Sequence, residues 1–189
     1  PRLVESGDVG RGRGIGRVIA SRSDTVAVGQ LVATLTGWQE YAVVGDDPML
    51  TTPLAEGTDQ QAALGVFGAN GLTAYVGLTE IGQMKEGETV VVSAAAGAVG
   101  SVVGQIAKIK GCRTVGIAGG PEKCRLIKEE FGYDEAVDYK AADWREQLKA
   151  ATPNGIDINF ENVGGEIMEA ILPRMNLYSR MPLCGLISG

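Results

Sequence analysis

From about residue 66 onward the chain switches repeatedly between short unbroken apolar runs and stretches where apolar residues recur every three or four positions. Thr89-Val90-Val91-Val92-Ser93 is a continuous β-branched run, the pattern of a parallel strand covered on both faces. Val99 to Lys110 carries apolar side chains at 99, 102, 103, 106 and 109, which is helical spacing. Lys108 and Lys110 suit its last turn, and Gly111 suits the position just beyond. Arg113 to Ala118 reads as a second strand. Pro121 opens a helix that runs to Phe131 and stops at Gly132. Ala136 to Tyr139 reads as a third strand. Asp143, with Glu146 three residues on, has the spacing of a capping box. Asn154-Gly155 is a turn, Ile156 to Phe160 a fourth strand, Ile167 to Met175 a helix and Met181 to Ile187 a fifth strand. Ahead of these, Leu72 to Met84 reads as a helix with Leu72, Tyr75, Val76 and Thr79 on one face. Strand–helix alternation of this kind predicts a doubly wound parallel α/β sheet, a Rossmann fold, over residues 66–189.

Residues 1–65 follow a different pattern. Ile15 to Ser21, Gln30 to Thr36 and Trp38 to Val44 read as short strands rich in β-branched and aromatic residues, broken by Gly and Asp. They predict irregular antiparallel sheet, too short for a full β domain. The opening Pro1-Arg2-Leu3-Val4-Glu5 resembles neither a signal peptide nor a natural start. A dinucleotide fold usually has a sixth strand, and none is legible before Gly189.

Composition narrows the chemistry. The 28 glycines among 189 residues are about twice the usual share, and they cluster in turns where backbone must approach a ligand. A formal net charge of −6 argues against nucleic acid or an anionic membrane as a partner. The sequence has no histidine, and Cys112, Cys124 and Cys184 form no CxxC pair, so no metal site is expected and the thiols read as reduced, in a cytoplasmic protein.

The strongest chemical signal is Ser93-Ala94-Ala95-Ala96-Gly97-Ala98-Val99-Gly100-Ser101, between the first buried strand and its helix. Its spacing is that of GxGxxG with Ala95 in the first glycine position. Gly97 lets backbone approach a pyrophosphate, Gly100 lets helix and strand pack closely, and the first N–H groups of the helix, from Ala98 and Val99 onward, bind the anion. NAD binders usually carry an acid at the end of the second strand. Here that window reads Gly116-Ile117-Ala118-Gly119-Gly120, with no carboxylate. Small residues at Gly119, followed by Lys123 on the next helix, point instead to a ribose 2′-phosphate, with Glu122 a neighbour of the wrong sign. Asn162, after the fourth strand, and Cys184-Gly185-Leu186-Ile187-Ser188, after the fifth, fall at strand ends where ligands of open α/β sheets lie. Asn162 equally suits a turn, and Cys184 a small packed side chain.

Five segments together resemble one family, the prostaglandin reductase and alkenal double-bond reductase branch of the zinc-independent medium-chain dehydrogenase/reductases. They are Gly37-Trp38-Gln39-Glu40-Tyr41, Gly71-Leu72-Thr73-Ala74-Tyr75, Ala94 to Ser101, Glu161-Asn162-Val163-Gly164-Gly165 and Cys184 to Ser188. The resemblance implies a partial GroES-like β domain over 1–65 beside an NADP-binding Rossmann domain lacking its C-terminal part. It implies that Gly97 to Gly100 hold the pyrophosphate, that Lys123 and Tyr139 face the ribose phosphate, and that Asn162 and Cys184 to Ser188 line the nicotinamide. Asn70 stands where the family often has proline. Family members are longer at both ends, and the parent form is expected to be a homodimer.

The activity so implied is NADPH-dependent reduction of the conjugated C=C bond of an α,β-unsaturated ketone or aldehyde. Without histidine, the proton must come from a tyrosine, a cofactor hydroxyl or water. Tyr41 and Tyr75 are candidates, but no catalytic residue is assigned. The alternatives are NADPH-dependent quinone reduction on the same scaffold and a non-catalytic NADPH-binding fragment.

Overall fold

The computed structural model describes residues 5–188; Pro1 to Val4 and Gly189, and with them the outer ends of both expected domains, lie outside the described residues. The chain divides into two compact units, Pro1–Gly68 and Ala69–Gly189.

The first unit holds an antiparallel sheet of β1 (Gly14–Arg17), β2 (Leu31–Thr34) and β3 (Thr52–Pro53), in that order. Thr34 and Thr51 are buried and share a hydroxyl–hydroxyl hydrogen bond of 2.8 Å, which fixes the chain between β2 and β3. The first strand is shorter than its apolar pattern predicts. The Ser21 hydroxyl accepts from Ser23 N–H, and the Ser23 hydroxyl from Thr25 N–H, so local turns take over the backbone groups. The strand expected over Trp38–Val44 does not form. Gly37 has φ +65, and beyond the bond from Trp38 N–H to the Gly10 carbonyl the segment finds no ladder partner among the described residues. A strand pattern without a neighbour stays irregular, and Trp38, Tyr41 and Val43 are exposed. A short helix, α1 (Gln60–Leu64), is capped by Asp59, whose Oδ1 accepts from Gln61 and Ala62 N–H at 2.8 and 3.0 Å.

The second unit begins with α2 (Ala69–Val76), which runs on into a π-helical turn at Gly77–Ile81. Then follow β4 (Thr89–Val92), α3 (Ala98–Ile109), β5 (Arg113–Ala118), α4 (Pro121–Glu129) and β6 (Glu135–Asp138). After these come α5 (Trp144–Ala151), β7 (Ile156–Phe160), α6 (Gly165–Ile171) with a 3-10 turn at Leu172–Arg174, and β8 (Met175–Arg180). The five strands are all parallel in the order β6-β5-β4-β7-β8. The order reverses between β4 and β7, the switch point at which such sheets open a crevice.

Alternation along β4 explains its unbroken apolar run. Val90 and Val92 pack with Val103 and Ala107 of α3 and with Ala74 and Leu78, while Val91 packs on the other face with Leu148, Ile167 and Ile171. Burying each such Val or Ile fully contributes roughly 1.5–3 kcal/mol. In α2 and its π turn the buried residues are Gly71, Ala74 and Leu78; the face carrying Leu72, Tyr75 and Val76 is exposed. Small residues let this helix lie close: a Cβ on Gly77 would stand 2.5 Å from the Phe160 ring. On α3, the buried Tyr133 ring lies against Gly104, and its hydroxyl donates to the Gly100 carbonyl at 2.7 Å.

Two other expectations are corrected. Asp143 does precede α5, but its backbone is not extended (φ −99, ψ 16) and its carboxylate accepts from Gln147 Nε2 at 2.9 Å, so no capping box closes. The last helix and strand lie earlier than predicted. The helix ends at Ile171, and Asn176 Nδ2 donates to Asp157 Oδ1 at 2.8 Å, drawing β8 alongside β7 from Met175. The register then slips, from Ile156 opposite Met175 to Ile158 opposite Arg180. Pro182 has no N–H for the ladder, so the expected strand Met181–Ile187 reduces to one bridge, Glu161 to Leu183.

Candidate cofactor site

The candidate residues all lie at the carboxyl edge of the parallel sheet, in three groups. The first is the β4–α3 turn. Ala94 sits in the left-handed region (φ 51), and Gly97 N–H closes the turn on the Ala94 carbonyl at 2.8 Å. Ala95 N–H reaches the Ile117 carbonyl of β5 at 3.0 Å and pins the loop over the sheet. Gly97 begins α3 without a side-chain cap, and the N–H groups of Ala98, Val99 and Gly100 have no acceptor among the described residues. Three such donors at the head of a 12-residue helix make a cradle of the kind that suits an anion. The cradle depends on missing side chains. A Cβ on Gly100 would stand 2.4 Å from the Ala94 carbonyl oxygen and 2.8 Å from Ala95 Cα.

The second group stands at the end of β5. The Tyr139 ring lies against Gly119, where a Cβ would meet it at 2.8 Å, and Tyr139 N–H donates to the Ala118 carbonyl. Lys123 is exposed in the first turn of α4, and its ammonium makes no hydrogen bond or ion pair among the described residues. So Tyr139 packs against Gly119, and Lys123 stands at the start of the helix that follows. The window 116–120 holds no acid, yet a carboxylate reaches it from the next strand: Asp138 Oδ1 accepts from Gly120 N–H at 2.7 Å and from Lys140 N–H at 3.0 Å. Sequence reading missed it because it comes from β6.

The third group spans β7 and the segment after β8. Cys184 and Gly185 N–H donate to the Glu161 carbonyl at 2.8 and 3.1 Å, and Ser188 N–H to the Val163 carbonyl at 2.8 Å. A Cβ on Gly185 would press within 3.2 Å of the Asn162 carbonyl oxygen. Asn162 and Cys184 to Ser188 therefore form one rim, on which Cys184, Leu186, Ile187 and Ser188 are exposed. Asn162 ties this rim to the first group: its N–H donates to Ser93 Oγ and its Nδ2 to the Ser93 carbonyl, both at 2.7 Å. The turn-shaping reading of Asn162 is thus realised, with Oδ1 left over. Behind it lies Glu161, fully buried, whose Oε1 accepts from Ser93 Oγ at 2.7 Å. Its signal in sequence was a charged residue directly after an apolar strand, inside a motif valued only for its asparagine and glycines.

Residues 98–189 match the model of a family described as zinc-binding dehydrogenase, and residues 2–52 one described as N-terminal domain of oxidoreductase. The chain is 47% identical over 186 residues to the NADPH-dependent curcumin reductase of Escherichia coli, covering 98% of this chain and 53% of that protein. It is 45% identical over 178 residues to a 2-alkenal reductase (NADP(+)-dependent) of Nicotiana tabacum, covering 94% and 52%. The crystal structure of CurA from Vibrio vulnificus in complex with NADPH aligns with a TM-score of 0.88 at 51% identity, covering 94% of this chain and 52% of that one.

The chain belongs to the medium-chain dehydrogenase/reductases.

It spans about half the length of the curated relatives it matches. This medium-chain dehydrogenase/reductase chain pairs a Rossmann-like parallel sheet with a three-stranded antiparallel sheet in its N-terminal part, as the family likeness implies. Among the described residues, no group of three or more His, Cys, Asp or Glu side chains is gathered to hold a metal ion. No helix among them is long and apolar enough to cross a membrane.

Proposed function

We propose that this chain carries the dinucleotide-binding part of an NADPH-dependent reductase that acts on the conjugated C=C bond of α,β-unsaturated ketones or aldehydes. The observation that carries the reading is the Gly97–Gly100 turn: three N–H groups without an acceptor among the described residues at the head of α3, beside the β4–β7 switch point, on a turn packed so closely that its backbone leaves no room for a Cβ at Gly100. That cradle suits a pyrophosphate. On one side of it Gly119, Tyr139 and Lys123, whose ammonium has no partner among the described residues, suit a ribose bearing a 2′-phosphate; on the other, Asn162 Oδ1 and the Cys184–Ser188 backbone suit a nicotinamide carboxamide. When bound, the dinucleotide supplies a hydride from nicotinamide C4, which forms the new bond at the substrate β-carbon while the C=C is reduced and the α-carbon takes a proton. The protein's part is orientation and exclusion of water. Tyr41 and Tyr75 are exposed, no hydrogen bond holds either hydroxyl among the described residues, and neither is assigned a catalytic role.

The relatives named for curcumin and 2-alkenal reduction support the substrate class. The test is titration of the chain with NADPH and then NADH, followed by nicotinamide fluorescence, with an enone and a quinone offered to whichever complex forms. Tight NADPH binding, weak NADH binding and enone turnover are expected. Turnover of quinone alone moves the reaction to quinone reduction. Binding without turnover of either makes the chain a nucleotide-binding module, and binding of neither nucleotide removes the reading.

A further inference from the structure

Glu161 follows β7 directly, as Ser93 follows β4, so the two face each other across the switch point. The Glu161 side chain is fully buried. Its Oε1 accepts from Ser93 Oγ (2.7 Å), Val163 N–H (2.7 Å) and Gly164 N–H (2.9 Å), and its Oε2 from Asn159 Nδ2 (2.8 Å). All four partners are donors and all are neutral. Glu161 makes no ion pair among the described residues. Buried charges are ordinarily paired or bound to a metal. This carboxyl is met by four neutral donors and by no cation among the described residues, and it underlies the Asn162 rim.

Holding the turn needs no charge. A glutamine at 161 can accept the same three bonds at Oε1. Its Nε2 can turn to Asn159, whose Oδ1 is buried and has no hydrogen-bond partner among the described residues. The carboxylate therefore does something that a neutral side chain of the same shape would not. Its field acts on whatever occupies the rim, and a carboxylate buried behind that rim is screened less than one on the surface. The nicotinamide ring is neutral when reduced and cationic when oxidised. We propose that the charge of Glu161 favours the oxidised over the reduced nicotinamide at this rim, and so assists hydride release. The inference rests on the dinucleotide reading above. Glu161 touches no reacting atom; it is a positioning residue, acting through the Asn162–Gly164 turn and through its field.

The test compares wild type, Glu161→Gln and Asn162→Asp in titrations with NADP+ and with NADPH, each variant checked by thermal melting. Glu161→Gln is expected to weaken NADP+ relative to NADPH by about tenfold. Asn162→Asp adds a carboxylate to the same rim and is expected to move the ratio the other way. A purely structural role would weaken both forms equally. Equal losses in Glu161→Gln, or an unmoved ratio, overturn the charge proposal and leave the dinucleotide reading intact. Should Glu161→Gln fail to fold, Asn162→Asp decides by the same ratio. Wild type that binds neither form removes the dinucleotide reading, and this proposal with it.

Discussion

Lys123 and Cys112 illustrate how differently single side chains are placed. Lys123 is exposed in the first turn of α4, and its ammonium has no partner among the described residues; the carboxylate that reaches the preceding turn, Asp138, already accepts from Gly120 N–H and Lys140 N–H. If Lys123 meets a 2′-phosphate, its substitution by alanine should weaken NADPH by about threefold to tenfold and leave NADH unchanged, since one exposed charge-assisted contact is removed. Paired titrations measure this. Cys112 is the opposite case. Burial, then the nearby Glu88 charge, pushes its thiol up to about 11. Cys184 is exposed on the rim, and its thiol is raised by partial burial alone. Alkylation at pH 8 followed by mass spectrometry should label Cys184 first and Cys112 last.

At the scale of the element, α3 is the part on which most depends. Gly100→Ala would drive a methyl into backbone of the preceding turn, which has no soft atom to yield. Overpacking of this kind costs about 1–3 kcal/mol, and a lowered melting temperature together with loss of NADPH binding is expected. Tyr133→Phe keeps the ring over Gly104 but removes the bond to the Gly100 carbonyl. It should cost about 1 kcal/mol, read as a shift of roughly 2–4 °C in a thermal melt. This element was legible because its information is local: Gly97, Gly100, the apolar spacing and Gly111 all lie within one strand–turn–helix unit. Glu161 was not, because what it does depends on Ser93, 68 residues away. The Asp138 carboxylate escaped for the same reason, since it serves a turn that belongs to another strand. Trp38–Val44 has the aromatic and β-branched content of a strand, and only a partner could have made it one. The slip of β8 turns on Asn176 meeting Asp157, a pairing that no periodicity announces.

For the whole molecule, two groups set opposite limits of pH. Burial alone would lift the Asp134 carboxyl, but hydrogen bonds from Lys108 and from Thr114 outweigh it and hold its pKa below the ordinary value. A lowered folded pKa contributes stability that is present above the unfolded value and lost as pH falls through the folded one. The raised Cys112 thiol acts in reverse. Its contribution is complete below its unfolded pKa, about 9, and is lost as pH rises through about 11. Denaturation midpoints should form a plateau between these limits and fall on both sides. Cys112→Ala should make the alkaline fall shallower, leaving the part due to the buried Tyr133 phenol, which burial also raises, and Asp134→Asn should make the acid fall shallower.

The register slip in β8 has a consequence for how this fold can vary. Between its two points of pairing β7 advances two residues and β8 five, so three residues are slack that the ladder never measures. Leu177 and Tyr178, within that slack, are exposed. Pairing resumes beyond them at Arg180, and the bonds from Cys184 and Gly185 to Glu161 hold the rim independently of what comes before. The loop thus works as an expansion joint. A change in the length of this stretch is expected to leave the alignment of the rim in place.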